Sequence, residues 1–225
     1  VTEQGAHILI ANFSRMFVDP NRSPTDIDPE LLSEHYAKCE PTKYSERGMG
    51  LIRRYALPGE AMYANPLSIE EVESRLKYYH QPYHNALSSI LDALYQKFGG
   101  VWHVDCHSMK SRGNAMNIDS GTARPDIILG DNDGLCAESE FVQVIEDAFV
   151  RKGYSVVRNN PYKGGFLINH YADKENNRHS MQIEINRALY MEESTFSRSN
   201  KFQHFQQDLS YVSTQIADYV QSRLA

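Results

Sequence analysis

The chain has 225 residues, of which 41% are apolar and 23% are charged. This composition is typical of a folded globular protein with a sizeable core. The formal net charge of −6 argues against a nucleic-acid binder, because such proteins are usually basic. Without a long apolar run or a signal-peptide pattern, we expect no membrane partner.

The number and spacing of the cysteines indicate the redox compartment of the protein. Cys39, Cys106 and Cys136 are odd in number and widely spaced, which does not suit a disulfide framework or a zinc knuckle. We therefore expect a reducing compartment and a cytoplasmic location.

Short stretches rich in Val and Ile predict the strands. They lie at 6–11, 101–106, 126–129, 154–158 and 181–185. Several are continuously apolar, which suits a sheet covered on both faces.

Helical patterns lie between these strands. Ser68 and Glu71 form a capping box, Pro82 should kink or divide the helix that follows, and Gly99 should end it. Further helices are predicted from about 139 to 152 and from about 199 to 223. The alternation predicts an α/β fold with a mixed, largely parallel central sheet covered by helices on both faces.

The domain organisation is predicted to be simple. We expect a single domain over 1–225, with a proline-rich excursion at 23–67 that shapes a pocket and holds a local helix near 29–38. Because the sequence begins with Val1 and runs almost at once into a strand-like stretch, we also expect that an N-terminal segment is missing.

The segment 101–109 carries the first candidate site residue. An apolar strand here ends in Asp105-Cys106-His107-Ser108, and ligands of α/β proteins gather beyond the carboxyl ends of strands. His107 is therefore a candidate metal ligand. The alternative is a histidine that only forms hydrogen bonds in a packed turn, and His103 is expected in the core.

The segment 14–22 follows the first predicted strand and holds Arg15, Asn21 and Arg22. Arginine can grip a carboxylate through two parallel hydrogen bonds, so this segment is a candidate carboxylate site. The alternative is a structural salt bridge between Arg22 and Asp19 or another acid.

The segment 182–187 places Glu184 within an apolar strand, where a bare carboxylate is costly. Such a group can act as a general base and then as an acid. The alternative is a buried ion pair with an arginine.

Two weaker segments complete the set. Tyr162-Lys163-Gly164-Gly165 is a turn whose glycines would permit a close approach of the backbone to a ligand. The aromatic and histidine cluster at 78–84 lies on the divided helix, where a packing role is expected.

Six ordered motifs together resemble the N-formylglutamate amidohydrolase family. They read SRMFVDPNR, YYHQPYHNAL, DCHSMKS, RPDIILGD, YKGGFLINHY and QIEINRALYM, and they span 14–191. The family is in turn similar to zinc carboxypeptidases, which have a phosphorylase/hydrolase-like fold.

The resemblance implies a role for each candidate. Asn21 and Arg22 would hold the carboxylate of a small anionic N-acyl amino acid, with Tyr162 and Gly165 as further substrate contacts. Arg15 would add a charge contact or polarise the scissile carbonyl. His107 would bind zinc, and Glu184 would activate the water.

The implied reaction is hydrolysis of N-formyl-L-glutamate to formate and glutamate, a step of histidine degradation. This chain departs from the family in lacking its upstream Pro-His-Ser/Ala-Gly turn and acidic segment, which supply the remaining zinc ligands. Two alternatives stay open: a hydrolase of other acyl-amino acids or peptides, and a carboxylate-binding module without metal. We expect residues 22, 107 and 184 to line one cleft.

Overall fold

The structure is a computed structural model that describes residues 4–224, which separate into two compact units. One unit consists of residues 9–90, and the other combines residues 4–8 with residues 91–224. The expectation of a single domain stays a prediction, and the expectation about a segment before Val1 lies outside the described residues.

The unit of residues 9–90 has its own apolar core. Val18, Leu51, Ile52 and Val72 are fully buried together with Ile27. Three of these five side chains come from the 23–67 excursion, so this segment is a packed part of its unit. Its regular structure is short: 3-10 turns at Pro29–Leu31 and Ser45–Arg47, and a hairpin of β1 (Tyr55–Leu57) and β2 (Glu60–Ala61). The helix expected near 29–38 is reduced to the first of these turns.

The helical segment after Ser68 confirms the predicted cap, because Ser68 Oγ accepts a hydrogen bond from the amide of Glu71 at 3.2 Å. Helix α1 (Ile69–Arg75) continues into a π-helical turn at Leu76–His80 and then into α2 (Gln81–Phe98). The predicted division of the helix therefore occurs, as a wider π-helical turn that ends two residues before Pro82. Helix α2 ends at Gly99, whose φ is +73°.

The unit of residues 91–224 is built on a four-stranded sheet. Its strands are β3 (Val101–Met109), β4 (Ile127–Gly130), β5 (Val156–Arg158) and β6 (Arg178–Asn186). The order is β3-β6-β4-β5, with β3 parallel to β6, β4 parallel to β5, and only β4 antiparallel to β6. The mixed, largely parallel sheet is thus confirmed.

Helices cover both faces of this sheet. Helices α3 (Ser139–Arg151) and α5 (Phe202–Leu224) pack on the face formed by Ile127, Met181 and Ile183. On the other face, α4 (Phe166–Tyr171) brings the Tyr171 ring within 6.5 Å of His103. A hairpin of β7 (Met191–Glu192) and β8 (Ser197–Arg198) precedes α5.

The strand expected at 6–11 is wrong. These residues have no regular structure, and Ile8 and Ile10 are 51% and 70% exposed. Apolar residues alone do not make a strand, because the backbone must also find a partner. Among the described residues, none of the helices is long and apolar enough to span a membrane.

Candidate functional site

A row of polar side chains crosses strands β3 and β6 on one face of the sheet. The parallel register pairs His103 with Ser180, Asp105 with Gln182, and His107 with Glu184. Register partners project to the same face, while Val104, Met181 and Ile183 between them face the apolar core. The hydrogen bond between His103 Nδ1 and Ser180 Oγ, 2.7 Å long, fits this arrangement. His107 and Glu184, predicted from separate motifs, therefore lie side by side.

The Glu184 carboxylate is buried and held by its own strand. Glu184 is only 9% exposed, and Gln182 is only 4% exposed. Gln182 Nε2 donates a hydrogen bond to Glu184 Oε1 at 2.9 Å. Because an amide donor favours a carboxylate with a fixed orientation, Gln182 is a positioning residue that the sequence did not single out.

The imidazole of His107 is held by Asp105. The distance between His107 Nε2 and Asp105 Oδ2 is 2.6 Å, so the carboxylate fixes the ring orientation and leaves Nδ1 as the other ring nitrogen. A carboxylate behind an imidazole is typical of histidines that bind a metal or move a proton.

Arg124 and Tyr162 lie near Glu184. Burial raises the pKa of Tyr162 to about 12, with Arg124 acting against this shift and the Glu184 charge adding to it. The Arg124 guanidinium lies 5.1 Å from the centroid of the Tyr162 ring. It also binds Asp119 through two hydrogen bonds of 2.7 and 2.8 Å. No sequence motif assigned a role to Arg124, although the residue lies near the predicted general base.

The glycine turn after Tyr162 serves packing. A Cβ on Gly164 would lie 1.9 Å from Ile168 Cδ1, and one on Gly130 would lie 2.8 Å from the backbone of Lys163. The close approach permitted here is therefore between the turn, strand β4 and helix α4. Gly165 begins α4 and accepts a hydrogen bond from Asn169 through its carbonyl at 2.7 Å; its role as a substrate contact stays a prediction.

In the unit of residues 9–90, the residues predicted to bind a carboxylate of the substrate are organised around Asp19. Arg15 donates two hydrogen bonds of 2.9 Å to the Asp19 carboxylate, which is fully buried. The amide of Asn21 donates to the same group at 3.0 Å. Burial would raise the pKa of Asp19, but the charges of Arg15 and Arg22 together with these hydrogen bonds lower it.

Arg22 is held mainly by backbone oxygens. Its Nε donates to Met49 O at 3.1 Å, and its NH1 donates to Asn21 O at 2.7 Å. The guanidinium lies 4.1 Å from the Tyr44 ring centroid. The salt bridge considered for this segment is formed with Asp19 by Arg15 instead of Arg22.

Two histidines of the 78–84 cluster support the loop that carries Arg22. His80 Nε2 lies 3.0 Å from Arg22 O, and His84 Nε2 lies 3.0 Å from Pro20 O. The two rings lie 4.2 Å apart. The packing role expected for this cluster thus includes two polar contacts to a candidate binding loop.

The predicted residues form two sets. His107, Glu184, Tyr162 and Gly165 belong to the unit of residues 91–224, whereas the 15–22 loop belongs to the unit of residues 9–90. The expected common cleft stays a prediction.

The fit to zinc is incomplete within the described part of the chain. A zinc site needs about three protein ligands, and residues 4–224 contain no group of three or more His, Cys, Asp or Glu side chains arranged to hold a metal. His107 with its Asp105 partner is suited to be one ligand. The described residues therefore do not make a zinc site by themselves.

A buried carboxylate beside an oriented imidazole on a mixed α/β sheet is an arrangement suited to general acid–base chemistry. The N-formylglutamate amidohydrolase family model matches residues 1–191. The chain therefore belongs to the N-formylglutamate amidohydrolase family.

Individual relatives agree with this membership. An N-formylglutamate deformylase of Pseudomonas putida is 31% identical over 202 residues, covering 84% of this chain and 66% of the relative. The enzyme of that name from Pseudomonas aeruginosa is 30% identical, with coverages of 85% and 66%. The chain thus spans slightly less than two thirds of the length of these curated relatives.

Solved structures support the fold. The crystal structure of an N-formylglutamate amidohydrolase from Ralstonia eutropha is 39% identical with a TM-score of 0.87, covering 93% of this chain and 76% of that one. A gene product of Agrobacterium tumefaciens is 16% identical with a TM-score of 0.53, covering 92% of this chain and 68% of its own, and this likeness concerns the fold alone.

Proposed function

We propose that the chain hydrolyses the amide bond of N-formyl-L-glutamate or a similar N-acyl amino acid, giving formate or another acid and a free amino acid. The observation that carries this proposal is the buried Glu184 carboxylate, held by Gln182 beside the Asp105–His107 pair. Family membership supports the same reaction, because the two curated relatives are named N-formylglutamate deformylase.

In this proposal Glu184 acts as the general base and then as the acid. Its carboxylate takes a proton from the attacking water and passes it to the nitrogen of the leaving amine. One buried carboxylate can serve both steps because each step leaves it in the protonation state that the next one needs. Gln182 would keep the accepting oxygen in place during both transfers.

The 15–22 loop would supply substrate binding. Arg22 and Asn21 hold a carboxylate of the substrate, with the Arg22 side chain pre-oriented by Met49 O and the Tyr44 ring. Arg15, whose charge is balanced by Asp19, remains the candidate that polarises the scissile carbonyl. Arginines of this kind are what an anionic substrate requires in a chain with a net charge of −6.

Three finer elements belong to the proposal and rest on the resemblance. They are the zinc requirement with His107 as a ligand, the cytoplasmic location, and the role in histidine degradation. The described residues do not complete the ligand set of zinc.

The decisive experiment compares formate release from N-formyl-L-glutamate by the chain and by Glu184→Gln, each with and without added zinc. We expect the substitution to lower kcat roughly 10²- to 10⁴-fold, the usual contribution of a general base, while substrate affinity is largely kept. Glu140→Gln, on the exposed side of α3, is the matched control. Binding without turnover by the unaltered chain would contradict the hydrolase, and equal activity in Glu184→Gln would contradict the role of this carboxylate.

A further inference from the structure

Arg53 is a cationic side chain to which the sequence motifs assigned no role. It follows the fully buried Leu51 and Ile52, and its own Nε is buried without a hydrogen-bond partner. Its guanidinium forms no hydrogen bond or ion pair with any side chain or backbone group of the described residues. A covered donor of this kind is costly, and native structures rarely keep one without a reason.

The charges around Arg53 are unbalanced. Burial lowers the pKa of Arg53, the Asp19 charge raises it, and the positive charges of Arg15 and Arg22 lower it further. Asp19 is the one carboxylate among these influences, and Arg15 already binds both of its oxygens. Asp19 is therefore already engaged and does not neutralise Arg53. The backbone of Arg53 is bridged to that of Met49, whose carbonyl accepts the hydrogen bond of Arg22 Nε, so Arg53 lies next to the residue that supports Arg22.

The next residue along the chain, Arg54, is an arginine with a structural role. Arg54 Nε lies 2.8 Å from Asp28 Oδ2, and its NH1 contacts Glu30. It also lies 4.8 Å from the Tyr55 ring centroid. Arg54 Nε is likewise buried without a hydrogen bond, but Arg54 has two carboxylates within ion-pair distance. Among the described residues, Arg53 has none.

We propose that Arg53 recognises the second carboxylate of a dicarboxylic N-acyl amino acid, with Arg22 and Asn21 holding the first. A monocarboxylate held by Arg22 and Asn21 would leave the Arg53 guanidinium without a partner, whereas a dicarboxylate supplies one. Arg53 is then the residue that makes an acidic side chain preferable to its neutral amide. In naming the substrate class, this inference rests on the proposed function, but its binding component can be measured without turnover.

The test uses two ligands of nearly equal shape. Glutarate carries two carboxylates, and glutaramate replaces one of them with an uncharged amide. Calorimetric titration of the whole chain should show at least tenfold tighter binding of glutarate. Arg53→Met should remove most of that preference while changing glutaramate affinity less than twofold, and Arg53→Lys should restore part of it. Arg54→Met is the matched control and should leave the preference unchanged.

Two outcomes would overturn the assignment: the unaltered chain binds both ligands equally, or Arg53→Met weakens both to the same extent. The first remains measurable even if Arg53→Met does not fold. The preference of kcat/KM for N-formyl-L-glutamate over N-formyl-L-glutamine should fall in parallel with the binding preference. If the unaltered chain cleaves neither compound, the proposed hydrolysis fails, while the titrations still decide the role of Arg53.

Discussion

Arg15 and Asp19, four residues apart, are joined by a bidentate ion pair in which Nε binds Oδ1 and NH2 binds Oδ2, both at 2.9 Å. The carboxylate is fully buried, whereas the arginine side chain is 40% exposed. Asp19 also accepts the amide of Asn21 at 3.0 Å. One carboxylate therefore fixes both ends of the loop that carries the candidate substrate contacts.

Asp19→Asn tests this arrangement. The amide keeps the shape but loses the charge, so we expect a loss of roughly 2 kcal/mol in unfolding free energy, as for a charge-assisted hydrogen bond. The pKa of Asp19 is lowered in the folded state from 3.8. The contribution of Asp19 to the free energy of unfolding is therefore complete above about pH 4. It is lost as the pH falls through the pKa of the folded state. The free energy of unfolding in urea, measured from pH 2 to pH 7, should fall less steeply towards low pH in the variant than in the unaltered chain. The same pH dependence in both would contradict the assignment.

His80→Leu tests the support of the same loop from the helical segment. It removes the hydrogen bond between the imidazole and Arg22 O and leaves that carbonyl without this partner. We expect the KM for N-formyl-L-glutamate to rise several-fold with a smaller change in kcat, because the loop positions a binding group. Steady-state kinetics measure both. His204→Leu, at the exposed start of α5, is the control, and a selective fall in kcat in His80→Leu would count against a binding role.

Much of the sheet could be predicted because its strands are locally distinctive. The stretches 101–106 and 181–185 are apolar and β-branched, and both extend in the structure to nine residues. The register that sets His107 beside Glu184 could not be predicted, since a shift of one residue would turn Glu184 to the other face. The strand expected at 6–11 failed because its pattern says nothing about a pairing partner.

The candidate site was predicted in part for a similar reason. His107, Glu184 and Arg22 stand in short motifs, so their residue types suffice to identify them. Arg53 and Gln182 carry no such pattern, and their importance depends on which charges and donors surround them after folding. Likewise, Asp19 pairs with Arg15 and not with Arg22. The geometry of the loop decides this pairing, and residue spacing alone does not.

Gln182→Met tests whether this amide positions the general base. The thioether has nearly the same length but cannot donate to Glu184 Oε1, so the carboxylate loses an orienting contact. We expect kcat to fall about tenfold with little change in KM, since misplaced reacting groups are costly in rate. Gln143→Met removes two surface hydrogen bonds, one donated to Asp147 and one accepted from Arg158, and serves as the control. An unchanged kcat in Gln182→Met would show that Glu184 is positioned by other contacts.

Gly164→Ala separates a packing role of the 162–165 turn from a ligand-binding role. Gly164 has a φ of +117°, and the added methyl group would overlap Ile168, so both strain and steric conflict oppose the substitution. Gly153→Ala is the matched control, because Gly153 has a φ of +86° but no heavy atom within 4 Å of the new Cβ. Strain alone should cost the control about 1 kcal/mol, whereas Gly164→Ala should lose roughly 1–3 kcal/mol more through overpacking. Thermal unfolding measures the difference, and equal losses in the two variants would mean that Ile168 yields and that the turn is free to serve a ligand.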